Sequence, residues 1–166
     1  NSSQTNYRLQ IEHSDKQKDY VFWLYKIFKN FVLTSPKYHP HNKSWKFRTI
    51  SHLDFISFQK LFYRNGKKIL PNDLLFLTDH LVLAVWYIDD GCLDKKRGYI
   101  INTQNFTYAE NQRLMNFMAD SLGLSLSLHR DKKYFRLFVK KHSMVEFRSF
   151  ISSYIQPVMQ YKINYS

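Results

Sequence analysis

Hydrophobic and polar positions follow two periods along this chain, and together they predict short strands that alternate with helices. Residues 7–12 alternate and predict a strand with one apolar face. Apolar residues at helical spacing predict a helix that follows Ser14 or Asp15 and runs to about Asn30. The pattern then returns to alternation, which predicts a hairpin whose second strand covers residues 45–50.

Three more helices and a second hairpin follow from local signals. A Ser or Thr three residues before an acid resembles a capping box, in which the side chains and backbone of the first helical turn bond reciprocally. The three matches are Ser51-x-x-Asp54, Thr107-x-x-Glu110 and Ser143-x-x-Glu146. Strands are predicted over residues 99–104, 124–129 and 134–140, and the last two form a hairpin.

These elements repeat in the same order in the two halves of the chain. Tyr7 corresponds to Tyr99, His52 to His142 and Pro71 to Pro157 in the two copies. We therefore predict a pseudo-symmetric protein with a first repeat over residues 1–77 and a second over residues 78–166.

The second repeat begins with an apolar stretch that the first repeat lacks. The stretch from Leu81 to Ile88 has no charged residue, and Asp89, Asp90 and Gly91 follow it directly. This pattern predicts a buried helix over residues 79–91, which we call the motif helix. Gly91 is expected to end it in a left-handed conformation. A carboxylate at a helix C-terminus is unfavourable, because the helix dipole favours cations there, and it indicates a cation partner such as a metal. The alternative is an ordinary buried helix that ends in an Asp-Gly turn.

The charge balance indicates a polyanionic partner. The chain has 25 Lys and Arg against 13 Asp and Glu, a net charge of +12. Nucleic acid is the first hypothesis for such a balance and an acidic membrane surface the second. No apolar run approaches the roughly 20 residues that span a bilayer. Cys92 is the only cysteine, which excludes disulfides within the chain and cysteine-type zinc sites.

The stretch from Leu83-Ala84 to Asp90-Gly91 resembles the signature of LAGLIDADG homing endonucleases. The resemblance covers about residues 7–163. Over this range the chain is similar to the larger subfamily typified by the yeast mitochondrial omega-intron endonuclease. Further segments that carry it are residues 47–52, 61–71, 102–107, the hairpin around Asp131 and Pro157-x-Met159-x-Tyr161-Lys162. The resemblance implies an α+β fold of two αββαββα units, of which the first lacks its motif helix. It also implies two antiparallel four-stranded sheets that form a saddle over the DNA major groove.

The resemblance further implies metal-dependent hydrolysis of phosphodiester bonds. Asp90 is then the Mg²⁺ ligand, and Asp89 is structural. Lys162 matches a basic residue beside the cleavage centre, where it would polarise the attacking water or neutralise developing charge. Lys68 is the equivalent lysine of the first copy, and Gln104 matches a polar residue near the water. Leu83, Val85, Trp86 and Ile88 are expected to face the second motif helix.

Polar residues on the predicted strand faces and basic loops are the candidates for nucleic-acid contact. Side chains of Arg and Lys bond guanine edges, and those of Asn and Gln bond adenine. The candidates on strands are Gln10, Glu12, Lys46, Arg48, Asn102, Ser125, Ser127, His129, Arg136 and Lys140. The phosphate-contacting candidates in loops are Lys95, Lys96, Arg97, Lys132 and Lys133.

The missing first motif helix leaves two functions open. It comes from a second polypeptide of a split gene, or from a segment outside this sequence, or it was lost together with cleavage. The first two cases predict a DNA endonuclease that acts only with the second helix present, and the third predicts a catalytically inactive RNA-binding derivative. An intron maturase and a component of an organellar ribonucleoprotein are examples of that derivative. Residue usage rich in Phe, Tyr, Lys, Asn and Ile is typical of AT-rich coding DNA and indicates an organellar gene.

Overall fold

The computed structural model describes residues 7–164 and divides into two compact units between Gly66 and Lys67. The first unit contains strand β1 (Gln10–Ser14), helix α1 (Lys18–Ile27), strands β2 (Lys37–His39) and β3 (Ser44–Arg48), helix α2 (Leu53–Phe62) and strand β4 (Tyr63–Arg64). The second contains β5 (Lys67–Lys68), α3 (His80–Asp90), β6 (Gly91–Asp94), β7 (Gly98–Ile101), α4 (Tyr108–Leu122), β8 (Leu126–Asp131), β9 (Tyr134–Val139) and α5 (Met144–Ile151). Short 3-10 helices cover Asp15–Gln17, Lys29–Phe31, Leu75–Thr78, Lys141–Ser143, Ser152–Tyr154 and Pro157–Lys162.

The first unit is a three-stranded antiparallel sheet in the order β1-β3-β2. One face of the sheet packs on α1 and buries Phe47 with the helix residues Tyr20, Val21 and Leu24. Because side chains alternate along a strand, the residues between these apolar positions form a separate polar face.

The second unit has a four-stranded antiparallel sheet in the order β6-β7-β9-β8. Its core includes the fully buried side chains of Leu83 and Tyr87 from α3, Leu114 from α4 and Phe147 from α5. The sheet order matches that of the first unit once β6 is left out, so β1, β3 and β2 correspond to β7, β9 and β8. The predicted repeat is therefore visible in the fold, but only the second sheet has the expected four strands among residues 7–164.

Two of the predicted capping boxes are wrong, and one is confirmed. Thr107 and Glu110 form both reciprocal bonds at the start of α4. Helix α2 is instead capped by the ring of His52, which accepts from the backbone N–H of Asp54. The hydroxyl of Ser143 accepts from the backbone N–H of Ser125, a tertiary contact that the sequence spacing could not indicate.

Gly91 ends the motif helix, but not for the predicted reason. Its φ is −99° and its ψ is 164°, so it is extended and begins β6. A Cβ at this position would lie 2.2 Å from the ring of Tyr87 and 2.5 Å from its carbonyl oxygen. Close packing against Tyr87, and not a left-handed backbone, therefore requires glycine here.

Among residues 7–164, no helix is long and apolar enough to cross a membrane. The sequence repeat predicts a boundary between residues 77 and 78. In the structure the second compact unit begins earlier, at Lys67, so residues 67–77 belong to it.

Candidate active site and nucleic-acid interface

Helix α3 delivers Asp90 to its C-terminal end, as the sequence predicts. The carboxylate of Asp79 caps the first turn by accepting from the N–H groups of Leu81 and Val82. The apolar residues between the two ends bury one side of the helix, which fixes its axis within the unit. The side chain of Asp90 remains 44% exposed and can reach a ligand in solvent.

Lys162 meets the same helix end from the C-terminal segment of the chain. Its ammonium donates to the carbonyl oxygens of Ile88 and Gly91, the second at 2.8 Å. Burial lowers the pKa of Lys162, and the neighbouring Asp89, Cys92 and Asp90 partly oppose that shift. The ammonium compensates the negative end of the helix dipole and uses two of its three N–H donors.

Two buried tyrosines hold this C-terminal segment in place. The hydroxyl of Tyr87 donates to the carbonyl of Lys162 at 2.8 Å, and that of Tyr99 donates to the carbonyl of Ile163 at 3.0 Å. Met159 and Ile163 are buried beside them. The position of Lys162 is therefore set by packing and hydrogen bonds, and it is not that of a free surface lysine. Sequence reasoning missed the role of both tyrosines, since neither belongs to a recognisable motif.

Lys68 supplies the second positive charge near Asp90. Its ammonium lies 3.8 Å from Oδ2 of Asp90, and both side chains are partly exposed. Asp90, Lys68 and Lys162, predicted from three distant parts of the sequence, are thus brought together at one end of α3. The acidic helix end that the sequence left without a partner has two lysines around it.

Gln104 makes a different contact from the one that the resemblance implies. With its amide oxygen oriented toward Arg136, it accepts from Nε at 2.7 Å and from an NH2 donor at 3.2 Å. The segment before it is tied to the motif helix, because the N–H of Asn102 donates to the carbonyl of Asp90 at 2.9 Å. The side chain of Gln104 is therefore engaged on the sheet face.

Asp90 fits one carboxylate of a magnesium site. Mg²⁺ prefers oxygen ligands and commonly binds one or two carboxylates together with substrate phosphates and water. Within residues 7–164, no group of three or more His, Cys, Asp or Glu side chains is placed to hold a metal. A metal held at Asp90 would therefore require further oxygen ligands from a phosphate, from water or from a second acid.

The polar face of the first sheet carries four of the predicted contact residues. Gln10 lies opposite Arg48, and Glu12 lies opposite Lys46, so all four share a face. Glu12 accepts from Ser44 at 2.6 Å and from Asn42 at 3.2 Å, and its pKa is lowered by these bonds and by Lys46. The ammonium of Lys46 lies 3.5 Å from Glu12. This face presents fixed donors and acceptors.

On the second sheet, the strand register places Ser127, His129 and Arg136 on one face. The hydroxyl of Ser127 lies 3.0 Å from Nε2 of His129, whose ring packs 4.2 Å from that of Phe138. Phe138 shares this face and is nearly buried, and the guanidinium of Arg97 also lies over its ring at 5.7 Å. The alternation of β9 in the sequence could have placed Phe138 on this face. Only the structure shows that its ring contacts both His129 and Arg97.

The remaining candidates lie at the edges of this face and in turns. Ser125 and Lys140 are joined by a backbone hydrogen bond beyond the strand ends. Asn102 turns its side-chain oxygen into the interior, where no described residue donates to it, so this atom is not exposed for base contact. Lys95, Lys96 and Arg97 form the β6–β7 turn, and Lys132 and Lys133 form the β8–β9 turn.

The carboxylate of Asp94 organises the β6–β7 turn. It accepts from the N–H groups of Lys96 and Arg97, each at 2.9 Å, and these bonds lower its pKa. In the β8–β9 turn, Lys132 has a φ of 57°. Both turns present their basic side chains from defined backbone positions.

The face predicted to meet a second motif helix needs correction at two positions. Leu83 and Ile88 are buried in the core of the second unit, with exposed fractions of 0% and 1%. Val85 and Trp86 are half-exposed, as are Leu81 and Val82. The accessible apolar face is therefore formed by Leu81, Val82, Val85 and Trp86, because helical periodicity turns Leu83 and Ile88 inward.

Comparisons with known proteins identify a family model that matches the chain and several similar proteins. The model of the LAGLIDADG DNA endonuclease family matches residues 1–147. The chain is 33% identical to the cytochrome b mRNA maturase bI2 of Debaryomyces hansenii over 120 residues, which are 71% of this chain and 45% of that protein. It is 29% identical to the probable intron-encoded DNA endonuclease 3 of Mycosarcoma maydis over 127 residues, which are 73% of this chain and 93% of that protein.

Solved structures show the same fold. The homing endonuclease I-WcaI, solved bound to its DNA recognition sequence, matches with a TM-score of 0.84 and 24% identity, over 100% of this chain and 79% of that one. A variant of I-DmoI, solved with nicked target DNA in the presence of Mn, matches with a TM-score of 0.59 and 14% identity, over 92% of this chain and 83% of that one. The chain thus spans less than half of the Debaryomyces maturase and four fifths of I-WcaI. From its family match, its relatives and its fold, this chain belongs to the LAGLIDADG DNA endonuclease family.

Proposed function

We propose that this chain binds a long double-stranded DNA site in the major groove and, once a second motif helix is supplied, hydrolyses phosphodiester bonds with Mg²⁺. The observation that carries this proposal is the convergence of Asp90, Lys68 and Lys162 at the end of α3. A carboxylate beside two ammonium groups is suited to a metal and a scissile phosphate, whereas it gives no advantage to simple DNA binding.

The proposed DNA contacts are the polar faces of the two sheets and the basic turns. Lys46 and Arg48 on the first sheet and His129 and Arg136 on the second have donors for base edges, while the basic turns suit phosphates. The net charge of +12 adds sequence-independent attraction to the duplex.

Asp90 is the residue proposed to hold Mg²⁺. Bound there, the metal would supply Lewis-acid chemistry and neutralise negative charge at the phosphate. Lys68, now 3.8 Å from Asp90, would turn to the phosphate and stabilise its added negative charge. The remaining N–H of Lys162 would donate to water or phosphate while its other two hold the helix end.

A second motif helix is proposed because helix α2 of the first unit leaves large apolar side chains exposed within residues 7–164. In α2, Leu53 is 68% exposed, Phe58 is 55% exposed and Leu61 is 41% exposed. The corresponding α5 packs on α3 and buries Phe147 and Ile151. A second motif helix that packs on α2 would cover its apolar residues, and it would supply the second acid of the proposed reaction. Half-exposed Val85 and Trp86 are proposed to face this helix.

The alternative is an RNA-binding protein without cleavage. The relative named as a cytochrome b mRNA maturase favours it, and the polar sheet faces would also suit RNA. We also propose that the gene is organellar. The maturase of Debaryomyces hansenii and the intron-encoded endonuclease of Mycosarcoma maydis are both fungal proteins, and the residue usage is typical of AT-rich coding DNA.

A cleavage assay on selected DNA sites tests the main proposal. A random duplex library would be selected for binding, and the enriched sites would be incubated with Mg²⁺ and the chain, with and without an added motif-type helix. We expect cleavage only with the helix present. Asp90→Asn should reduce it about 100-fold or more, whereas the adjacent Asp89→Asn should change it little. Equal cleavage by Asp90→Asn and the unmodified chain would overturn the metal assignment, and selection of structured RNA over DNA would favour the alternative.

A further inference from the structure

Arg136 is held from two sides on the polar face of the second sheet. Oδ2 of Asp131 lies 2.6 Å from one of its NH2 donors. On the other side, the amide oxygen of Gln104 accepts from Nε at 2.7 Å and from NH2 at 3.2 Å. A long arginine side chain that is otherwise free to rotate is thereby fixed in one orientation.

The two oxygen partners are themselves fixed by the fold. Gln104 follows Thr103, which is buried and whose hydroxyl contacts the carbonyl of Phe135 on β9. Asp131 ends β8 opposite Tyr134, on the same face as Arg136. Strand pairing therefore sets the backbone position of Asp131, and Gln104 lies in the turn after β7, next to the Thr103 contact with β9.

This arrangement leaves one nitrogen of the guanidinium available. Nε and NH2 are engaged, whereas NH1 has no acceptor among residues 7–164. Its N–H donors diverge from a single nitrogen, so NH1 can meet one acceptor of a base edge at a time. In the major groove, guanine presents N7 and O6 side by side, whereas adenine presents a donor beside N7.

We propose that Gln104 and Asp131 position Arg136 to read one guanine of the bound DNA. Gln104 then serves sequence specificity, and not the attacking water, as the family resemblance implied. The inference rests on the DNA binding proposed above. A phosphate contact is less suited to this arrangement, because Asp131 offsets the charge that attracts phosphate, while a fixed orientation is what base recognition requires.

The test compares the base preferences of matched variants. A random duplex library would be selected for binding, at one fixed salt concentration, to the full chain and to the variants Gln104→Leu, Gln104→Glu and Arg136→Lys. The binding of single-base variants of the enriched site would then be measured for each protein. Gln112→Leu is the control, because Gln112 lies on α4, outside the sheet, and its amide donates to the hydroxyl of Tyr108. Thermal unfolding of each variant shows whether it is folded.

We expect one guanine in the enriched site to depend on this cluster. Gln104→Leu and Arg136→Lys should lower the preference for that guanine about tenfold and leave the other positions unchanged. Gln104→Glu keeps an oxygen acceptor for Arg136 and should retain the preference. If Gln104→Leu fails to fold, Asp131→Asn against Gln104→Glu gives the same comparison.

Three results would overturn the inference, and they separate it from the proposed function. An unchanged preference in Gln104→Leu would show that the clamp does not set specificity. An equal loss at every position, with a weaker dependence on salt, would identify Arg136 as a phosphate contact. Failure of the unmodified chain to enrich any duplex site would instead remove the DNA-binding proposal, and this inference with it.

Discussion

The two units of this protein share a sheet order and a pair of helices, but they differ in how they bury their apolar residues. The first unit buries Tyr20, Val21, Leu24 and Phe47 as its described hydrophobic core. The second buries side chains from α3, α4 and α5 and from strands β7, β8 and β9. The extra element in the second unit is the motif helix with the strand that follows it.

The comparison shows that the motif helix contributes to the core and also carries Asp90, the proposed metal ligand, at its end. In the second unit α3 buries Leu83, Ala84, Tyr87 and Ile88 and also places Asp90. In the first unit, α2 has no buried residue, although its Phe58 and Phe62 have the same four-residue spacing as the buried Phe147 and Ile151 of α5. A helix that supplied the second acid would therefore also complete the hydrophobic core of the first unit.

The largest expected effect comes from equivalent substitutions in α5 and α2. Phe147→Ala removes a fully buried ring from the second unit and should lower the free energy of unfolding by about 3–5 kcal/mol. Phe58→Ala removes a ring that is already 55% exposed and should cost less than about 1 kcal/mol. Urea unfolding followed by circular dichroism measures both.

Similar losses for the two substitutions would contradict the contrast between the units. The comparison can be sharpened by adding a motif-type helix to the chain. If that helix covers α2, the cost of Phe58→Ala should rise toward that of Phe147→Ala, while the cost of Phe147→Ala stays the same. An added helix that left both values unchanged would show that it does not pack on α2.

The sequence was informative about elements whose signals are local. The apolar run before Asp90 predicted α3, and the alternation of residues 124–129 and 134–140 predicted the hairpin of β8 and β9. It could not predict which side of α3 faces the core, because Leu83, Val85, Trp86 and Ile88 are all apolar. The structure shows that Leu83 and Ile88 are the buried ones, in a helix that packs on α5 and on the 3-10 helix Leu75–Thr78.

For the candidate site, residue identity was easier to predict than partners. The grouping of Asp90, Lys68 and Lys162 followed from the family resemblance, and the structure brings the three residues together. The partner of Gln104 could not be predicted, since its contact with Arg136 depends on the loop after β7 meeting β9. The two tyrosines that hold the segment of Lys162 act through backbone carbonyls, and such contacts leave no pattern in a sequence.

A smaller effect is expected from Lys162, which caps the motif helix of the second unit. Lys162→Met keeps the aliphatic stem but removes the donors to the carbonyls of Ile88 and Gly91. Loss of these charge-assisted bonds should lower the free energy of unfolding by about 1–3 kcal/mol and speed amide hydrogen exchange at Gly91 and Cys92. The exposed Lys141→Met is the matched control and should change neither quantity. Unaltered exchange in Lys162→Met would mean that the cap does not hold the helix end.

The smallest effect, and one that depends on pH, is expected from Glu110 in the second unit. Its burial raises the pKa, but bonds from the N–H of Leu70 and from the N–H and hydroxyl of Thr107 outweigh burial, and the pKa falls below its usual 4.5. A carboxyl group whose pKa is lower in the folded state stabilises the fold above pH 4.5, and that stability is lost as the pH falls through the lowered value. Glu110→Gln should therefore cost about 1 kcal/mol at pH 7 and progressively less in acid. Thermal unfolding between pH 7 and about pH 3 measures this convergence, with the exposed Glu146→Gln as control. Parallel pH profiles for Glu110→Gln and the unmodified chain would show that this carboxylate does not tie Leu70 to α4. The stability of the second unit would then come from its apolar core and not from this bond.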